Sequence, residues 1–525
     1  MKKLSILFFL SVVIIMAACS DDDTFTTSRS NLLSFSTDTL RLDTTFSNVP
    51  TSTKIFWVYN KSGDGLRLTN VRLAQGNQTG FRVNVDGVEL SAANGYQVRD
   101  LEVRNKDSIQ VFVEMTSPFN NAATPQEVVD NLLFTLESGV QQKVNLRVYS
   151  WDAELVKGRK IASNTTLTST KPLVFQDTLK VEAGATLTIP AGTTVYFSQK
   201  AALDVYGTLR CEGTADNPVT LRGDRLDKMF KYLPYDRVSG QWQGVRFHKD
   251  SYDNVLTHTD IHSTYNGILC DTATTARTKL TIANSTVHNC QGYGLQAINC
   301  KIIAYNTQFS NTLMDCAAFV GGEVILTHCT FAQFYPFDSN RGAALSFGNH
   351  IGDKDYPLQT FHMVNSLVTG YADDVLMANN KEGVTANYHF YNCILRTPKP
   401  KETALLSNFT DVIWENNKDG VTANYQFYNC ILRTPKPKDS ALLASFTDII
   451  WENSKDYPDG GSKQFILVDG DKQKYDFHLK KAEKGEKYPA IDAGLALGDT
   501  RFATDHDGKQ RDSKPDIGCY ELIAN

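Results

Sequence analysis

The feature that most constrains this fold is a tandem duplication. Residues 381–417 and residues 418–454 are identical at 29 of 37 positions. A domain with a single compact core could hardly accept a 37-residue insertion in its interior, whereas a stack of units that contact only their neighbours can accept one more unit anywhere. The duplication therefore predicts a solenoid.

A weaker repeat runs upstream in the same register. An Asn or His, then a small residue and, one position further on, an apolar residue recur at spacings of 26, 22, 22, 37, 27 and 37 residues. The motifs begin at His258, Asn284, Asn306, His328, Asn365, Asn392 and Asn429. Three short strands with their turns occupy roughly 22 residues, so the shortest spacings predict one coil of a parallel β-helix. Alternation and abundant Thr, Val and Ile argue against helical repeats.

The composition is that of a folded protein of two or three domains, with 525 residues of which 41% are hydrophobic. The net charge is only −5, and the sequence contains no block of Lys and Arg. We therefore expect no nucleic-acid partner.

The N-terminus predicts export to a membrane surface. Lys2 and Lys3 precede an apolar run from Leu4 to Met16, which is shorter than the roughly 20 residues of a membrane-spanning helix. The following Met16-Ala-Ala-Cys19 resembles a bacterial lipobox. That resemblance implies that residues 1–18 are a signal peptide and that Cys19 is lipidated and holds the protein at a membrane. A plain signal peptide is the alternative.

Three aspartates follow Cys19. The segment Ser20-Asp-Asp-Asp23 resembles the surface-export signal of Bacteroidota lipoproteins, which implies an outer-membrane protein facing the cell exterior. The alternative is a solvated acidic tether. Residues 19–31 are polar and predict a flexible spacer between lipid and fold.

Residues 32–152 predict an immunoglobulin-like β-sandwich of some seven strands. Short alternating runs are separated by turn signals such as Asp86-Gly87. The runs include 39–43, 54–59, 81–85, 108–113 and 144–149. This spacing of strands and turns is typical of a two-sheet sandwich.

Residues 153–488 predict the β-helix itself. Strand-like pieces alternate with Gly-Thr turns, as a coil corner requires. The phrase Trp242-Gln-Gly-Val-Arg-Phe247 matches a Trp-x-Gly-Ile-x-Phe phrase, and the region resembles right-handed parallel β-helix proteins of pectate-lyase-like fold. Cys329, Cys393 and Cys430 occupy the small-residue position of the ladder, so we expect them to point inward.

Residues 489–525 resemble the terminal segment called choice-of-anchor Q in surface β-helix proteins. The motifs are Pro489-Ala-Ile-Asp-Ala-Gly494, Asp505-His-Asp-Gly508 and Asp516-Ile-Gly-Cys-Tyr-Glu521, with Cys519 in place of the usual Ala. We expect a cap over the open end of the solenoid, built from Asp505, Asp507, Arg511, Asp516 and Glu521, in which Arg511 pairs with Asp516 or Glu521. A calcium loop at Asp505–Gly508 is the weaker alternative, because it lacks the remaining ligands of an EF-hand.

One side-chain cluster could carry chemistry. If the ladder is in register, Asp260 and His262 lie on one coil and His288 lies on the next, with His262 beside His288. Such a cluster could bind a metal or supply a general base with a pKa near neutrality. The alternative is a hydrated polar face, and we assign no catalytic residue, no metal and no cofactor from sequence, with calcium left open.

Five aromatic residues are candidates for stacking on sugar rings: Tyr232, Tyr235, Trp242, Trp414 and Trp451. The alternative for all of them is packing of loops against the solenoid wall. Pectate-lyase-like enzymes need clustered acidic calcium ligands, and β-helix glycosidases need close carboxylates. The sequence shows neither, so it favours non-catalytic binding of glycans or a surface partner, with a polysaccharide lyase or hydrolase, and a spacer or adhesin, as alternatives.

Overall fold

The computed structural model describes residues 24–371, 375–396, 423–428, 430–432, 446–448, 450–451, 461–483 and 488–522. Within them the regular elements are strands and four 3₁₀ turns at Ala92–Asn94, Tyr235–Arg237, Ser462–Gln464 and Thr500–Phe502. No helix in this part of the chain is long and apolar enough to cross a membrane. Two compact units divide between Asp152 and Ala153. The expected all-β class is confirmed.

The first unit is a β-sandwich around one apolar core. Its five-stranded sheet contains, in spatial order, Leu33–Phe35, Lys54–Asn60, Ser108–Met115, Phe81–Val85 and Val88–Glu89. Its second sheet contains Thr39–Arg41, Gln141–Trp151, Gln126–Leu136, Leu66–Leu73 and Gln97–Val103, with Thr45–Phe46 paired beside Gln141–Trp151. Alternation drives the assembly, because every second residue of Ser108–Met115 is buried. The described residues of this unit therefore form eleven strands, where the sequence predicted some seven.

The predicted tether differs from the structure. From Thr24 onward this segment contacts the sandwich, since Gly65 donates to the carbonyl of Thr24 at 2.8 Å and Thr26 donates to that of Gly65 at 3.0 Å. Arg67 also lies over the ring of Phe25 at 4.8 Å. The segment is mostly polar, which suggested a flexible spacer, but Phe25 is apolar and packs beneath Arg67 of the sandwich.

The second unit is a parallel β-helix, which confirms the main prediction. Twelve strands of the described residues form one sheet, the first face of the solenoid, here called the site sheet. Its strands are Glu154–Val156, Leu173–Phe175, Thr194–Phe197, Val219–Gly223, Thr259–His262, Thr286–Cys290, Gln308–Thr312, Thr330–Gln333, Leu367–Gly370, Ile394–Leu395, Ile431–Leu432 and Ile450–Trp451.

Two further ladders of parallel strands form the other faces, joined where Leu295–Tyr305 and Ala317–Thr327 each serve both. One ladder contains Arg159–Ile161, Leu179–Val181, Leu203–Val205, Val245–Phe247, Ile268–Cys270, Leu345–Gly348 and Leu376–Asn379. The other contains Thr165–Thr166, Thr186–Pro190, Thr208–Glu212, Asn254–Thr257, Leu280–Ala283, Leu358–Val364, Ala386–Tyr391, Ala423–Tyr428 and Phe446–Thr447. The short antiparallel pairs are Lys228–Phe230 with Leu233–Pro234, and His350–Ile351 with Lys354–Asp355.

The sequence ladder marks the turn that leads into the site sheet. Its residues take positive φ angles of 41° at His258, 48° at Asn284 and 49° at Asn365. Asn visits this left-handed region more readily than most residues, which explains its recurrence. The small residue that follows points inward, and Cys329, Cys393 and Cys430 are fully buried as expected. Asn429 lies outside the described residues.

Two columns of side chains run along the outer side of the site sheet, alternating with core residues such as Ile261 and Val287. In the first column the aligned residues are Asp260, Thr286, Gln308, Thr330 and Leu367. In the second they are His262, His288, Ser310, Ala332 and Thr369. Polar and charged residues thus occupy the earlier coils, and Ala332 and Leu367 occupy later ones.

The chain after the solenoid folds back over this outer side. The antiparallel hairpin Phe465–Asp469 and Lys474–Leu479 buries Phe465 and Phe477 against Ala332 and Leu367. This hairpin lies inside the span that the sequence predicted as β-helix. Burial of apolar surface contributes about 25 cal/mol per Å². The hairpin therefore docks on the later coils, where the two columns carry Ala332 and Leu367. The polar end is left open.

Candidate functional site

A cleft of about 420 Å³ lies at the polar end of the site sheet. Its floor is the outer side of the strands that carry Asp260 and His288, and one wall is the loop around Asp236. The opposite wall is the hairpin around His478. Other lining residues are Arg237, His262, Thr286, Gln308, Ser310, Lys474, Tyr475, Asp476 and Tyr520. The volume falls in the range of ordinary ligand sites.

The predicted cluster stands at the floor of this cleft. Parallel pairing aligns His262 with His288, and their ring centroids are 5.0 Å apart. The Asp260 carboxylate contacts both rings, with Oδ1 3.0 Å from His262 Nδ1 and 3.1 Å from His288 Nε2. The structure therefore brings together all three residues that the sequence proposed, and their chemical role stays a prediction.

A fourth member, Asp236, was missed by the sequence analysis. Its Oδ1 lies 2.9 Å from His262 Nε2 and 2.7 Å from a guanidinium nitrogen of Arg222. The hydroxyl of Ser263 donates to its backbone carbonyl at 2.6 Å, which holds the loop against the solenoid. Asp236 lies in a loop rich in charged residues, and nothing in its composition indicated which carboxylate reaches the imidazole.

The cluster is a network of opposite charges. Burial alone would lower the pKa of His262, but the charge of Asp260 and hydrogen bonds to Asp236 and Asp260 raise it to about 9. Burial opposes ionisation of Asp236, yet the hydrogen bond and charge of His262, with Arg222, lower its pKa to about 2. Burial acts in the same way on Asp260, and the two imidazoles hold its pKa well below the usual range. At neutral pH His262 is therefore an imidazolium between two carboxylates.

Trp242 supports the cluster from below, which corrects its assignment as a sugar-stacking residue. Its side chain is fully buried, stacks on Phe197 at 4.3 Å and donates from Nε1 to the carbonyl of His262 at 2.9 Å. Gly244 is the reason for this orientation. Its φ is 97°, and the carbonyl of Asn266 stands where a Cβ would lie, so only glycine fits there. The strand alternation is interrupted at this residue, and Trp242 points inward.

The facing wall carries a second group of imidazoles and carboxylates. His478 lies between Asp476 and Asp507, with Nδ1 and Nε2 each 2.6 Å from a carboxylate oxygen. Burial would lower the pKa of His478, but hydrogen bonds to these carboxylates raise it. His506 joins Asp507 at 2.9 Å and reaches Thr286 of the site sheet at 3.0 Å. No local signal marked this wall, because it depends on contacts across 220 positions of sequence.

In the described part of the chain, the C-terminal segment lies along the flank of the solenoid, whereas the sequence predicted a cap over its open end. Asn365 donates to the carbonyl of Leu495 at 2.8 Å and Gly518 donates to that of Asn365 at 2.9 Å. The Tyr520 hydroxyl donates to Gln308 at 2.8 Å. The segment therefore covers the flank of successive coils.

The charged residues assigned to the cap do hold this segment together. Arg511 pairs with Glu521 at 3.0 Å, one of the two expected partners, and both are buried. Asp505 accepts from the backbone of Lys509 at 2.8 Å and of Glu521 at 2.9 Å. These bonds close residues 505–508 into a turn, for which a calcium loop was the weaker alternative. Burial raises the pKa of Asp516 to about 7.

The remaining candidates fall in different places. Tyr232 is 52% exposed and stacks on Phe230, also exposed, at 5.7 Å on the hairpin beside the cleft. Tyr235 packs under Arg225 at 4.1 Å. Cys19 and Trp414 lie outside the described residues, and only the backbone of Trp451 is described.

Comparisons with known proteins give a likeness of fold only. No family model and no curated protein sequence matches the chain. The pectate lyase Pel9A is 14% identical over 70% of this chain and 87% of its own, with a TM-score of 0.32. A GH87 α-1,3-glucanase from Streptomyces thermodiastaticus is 9% identical over 76% and 89%, with a TM-score of 0.30. A family 28 exopolygalacturonase from Yersinia enterocolitica is 10% identical over 80% and 92%, with a TM-score of 0.25.

Proposed function

We propose that this protein binds a glycan in the cleft at the polar end of the site sheet. The observation that carries the proposal is the lining of that cleft, where carboxylates, imidazoles, Gln308 and Ser310 stand beside the ring of Tyr475. Sugar hydroxyls bond to such planar polar groups while the pyranose face packs on an aromatic ring. The site sheet is continuous, so neighbouring coils extend the same surface.

The charges of the cleft favour a neutral glycan over a polyuronate. Asp236, Asp260 and Asp476 carry negative charge, and Arg237 and Lys474 carry positive charge. His262 adds a third positive charge at neutral pH, since its pKa is raised to about 9 by the carboxylates despite burial. His478 lies between two further carboxylates, so cations and carboxylates are interspersed along the lining. Such a mixed lining gives little net attraction to a polyanion.

The test is a glycan array with the full-length protein, followed by affinity measurements on the best neutral ligand. We expect Asp476→Ala and Gln308→Ala each to weaken glycan binding by at least about tenfold, which corresponds to the loss of one or two hydrogen bonds. His362→Ala, on another face of the solenoid, is the matched control and should bind normally. Equal binding by the cleft variants and the control would refute the proposal, as would retention of acidic glycans alone.

A second candidate is cleavage of the bound polysaccharide. It is favoured by the placement of His262 between Asp236 and Asp260, because such pairs can move a proton in the cleft. New reducing or unsaturated ends, measured with and without calcium and lost in His262→Ala or His288→Ala, would establish it. Retention of a glycan without new ends would support binding alone.

We also propose the location that the N-terminus indicates, a lipid on Cys19 and exposure at the outer face of the outer membrane. The supporting feature is the lipobox-like Met16-Ala-Ala-Cys19 followed by aspartates. Metabolic labelling with a fatty-acid analogue should mark the native chain and fail with Cys19→Ala. Protease added to intact cells should degrade the protein. An unlabelled native chain, or full protection, would contradict these two parts separately.

A further inference from the structure

We propose that Asp260, His262 and His288 form a binding site for a divalent transition metal, for which Zn²⁺ is the probe. In the described part of the chain, they are the only group of three or more His, Cys, Asp or Glu residues whose ligand atoms all lie within 4.8 Å of one another. This site stands apart from glycan binding, because it needs neither a sugar nor the facing wall of the cleft.

The spacing of the ligand atoms fits a small cation. Asp260 Oδ1 is 3.0 Å from His262 Nδ1 and 3.1 Å from His288 Nε2. A tetrahedral ion with bonds of about 2.0–2.1 Å places its ligand atoms about 3.3 Å apart. The two distances to Asp260 therefore need shifts of a few tenths of an ångström, and the ligand nitrogens of the two imidazoles lie within 4.8 Å of each other. Adjacent parallel strands carry the three residues, which fixes their relative positions.

The donor set selects the class of metal. Two imidazoles and one carboxylate are ligands of Zn²⁺ and its neighbours in the first transition row, whereas calcium takes six to eight oxygens. Three protein ligands leave a coordination position open toward the cleft, where water or a ligand oxygen completes the shell.

A supporting partner for the metal ligand is already in place. His262 would bind through Nδ1 and release to solvent the proton that lies between Nδ1 and Asp260 in the metal-free protein. Its Nε2–H donates to Asp236 at 2.9 Å. Asp236 is in turn held by Arg222 at 2.7 Å. A carboxylate that accepts from the free nitrogen of a ligating histidine orients the ring and raises its basicity. A histidine flanked only by solvent would have no such partner.

The experiment measures Zn²⁺ bound to the full-length protein by dialysis and elemental analysis, with Co²⁺ absorption as a report on coordination. We expect one ion per chain, with a visible band of nitrogen and oxygen coordination and no thiolate charge-transfer band. His288→Ala should weaken binding by at least about 100-fold, and Asp236→Asn by about 10-fold. His389→Ala is the control, because His389 pairs with His362 on another face of the solenoid, and it should leave binding unchanged.

A folding defect is separated from a lost ligand by comparing circular dichroism and thermal denaturation of each variant without metal. His288 is partly exposed, so its variant should fold, and Asp260→Asn gives a second, nearly isosteric test. The inference is overturned if the native chain holds no stoichiometric Zn²⁺, or if the His288→Ala and Asp260→Asn chains hold it as tightly. Glycan affinity measured in chelator is a separate readout, so either proposal can fail alone.

Discussion

Two stacked histidine pairs sit on different faces of the same solenoid. His262 and His288 have ring centroids 5.0 Å apart, and His362 and His389 have centroids 4.9 Å apart. Coil register produces both pairs in the same way. Their chemistry differs because carboxylates adjoin the first pair, whereas in the second pair the two rings contact each other, with His389 Nδ1 2.9 Å from His362 Nε2.

The difference reverses the direction in which the imidazole pKa shifts, although burial acts in the same way on both pairs. Burial lowers the pKa of His362 and, together with the charge of His362, that of His389. In the first pair, burial also works against the charged form of His262, but Asp260 and Asp236 outweigh it. The register of the coils thus determines which two histidines are neighbours. The carboxylates around them, including Asp236 from a separate loop, determine their pKa values.

The largest expected effect comes from removing the support of the first pair. Trp242→Ala should lower the free energy of unfolding by about 3–5 kcal/mol, because it empties a buried site and removes the bond to the His262 carbonyl. Thermal denaturation with histidine NMR checks this. Signals of His262 should change while those of His362 and His389 persist. A loss below about 1 kcal/mol would contradict the packing described here.

Removing one imidazole from each pair should give unequal losses. His262→Ala removes the imidazolium between Asp236 and Asp260 and leaves Arg222 as the partner of Asp236. We expect a cost of about 2 kcal/mol, since water reaches both carboxylates. His389→Ala should cost less than about 1 kcal/mol. Denaturation in the presence of chelator measures both. Equal losses would show that the carboxylates do not distinguish the pairs.

Acid should lower the stability of the protein through protonation of His362 and His389. Their pKa values lie below that of a free histidine, 6.5, so the contribution to stability is complete above pH 6.5 and is lost as pH falls through the lowered folded values. His389→Gln should reduce this loss. Gln426 already occupies the aligned position in the next coil, so the change is compatible with the stack. Denaturation from pH 7 to pH 5 tests it, and an unchanged pH dependence in the variant would contradict it.

The smallest effect on stability is expected at the hairpin beside the first pair. Tyr232→Ala should change the free energy of unfolding by less than about 0.5 kcal/mol, because the ring is exposed. Glycan affinity is the informative measurement. Weakened binding with unchanged stability would extend the ligand surface from the cleft onto the hairpin, whereas unchanged binding would confine it to the cleft.

Sequence reasoning reached the solenoid and the core of the candidate cluster. The repeat beginning at His258 and Asn284 places His262 beside His288, because coils that stack in register convert a spacing in sequence into a neighbour in space. The assignment of Trp242 to sugar stacking failed, because a glycine with positive φ two residues later turns the indole into the core. Sequence reasoning also placed residues 465–479 inside the solenoid, although they form an antiparallel hairpin.

The sequence alone determined the periodic part of this protein: the sandwich strands, the parallel coils, the inward cysteines and the column of His262 and His288. Only the tertiary structure decided that Asp236 reaches His262, that His478 faces it across a cleft and that the C-terminal segment lies along the flank. The physical reason is locality. Alternation and spacing over short stretches of sequence are enough to indicate a repeat. Where a loop or the C-terminal segment packs depends instead on the side chains of distant coils that it contacts.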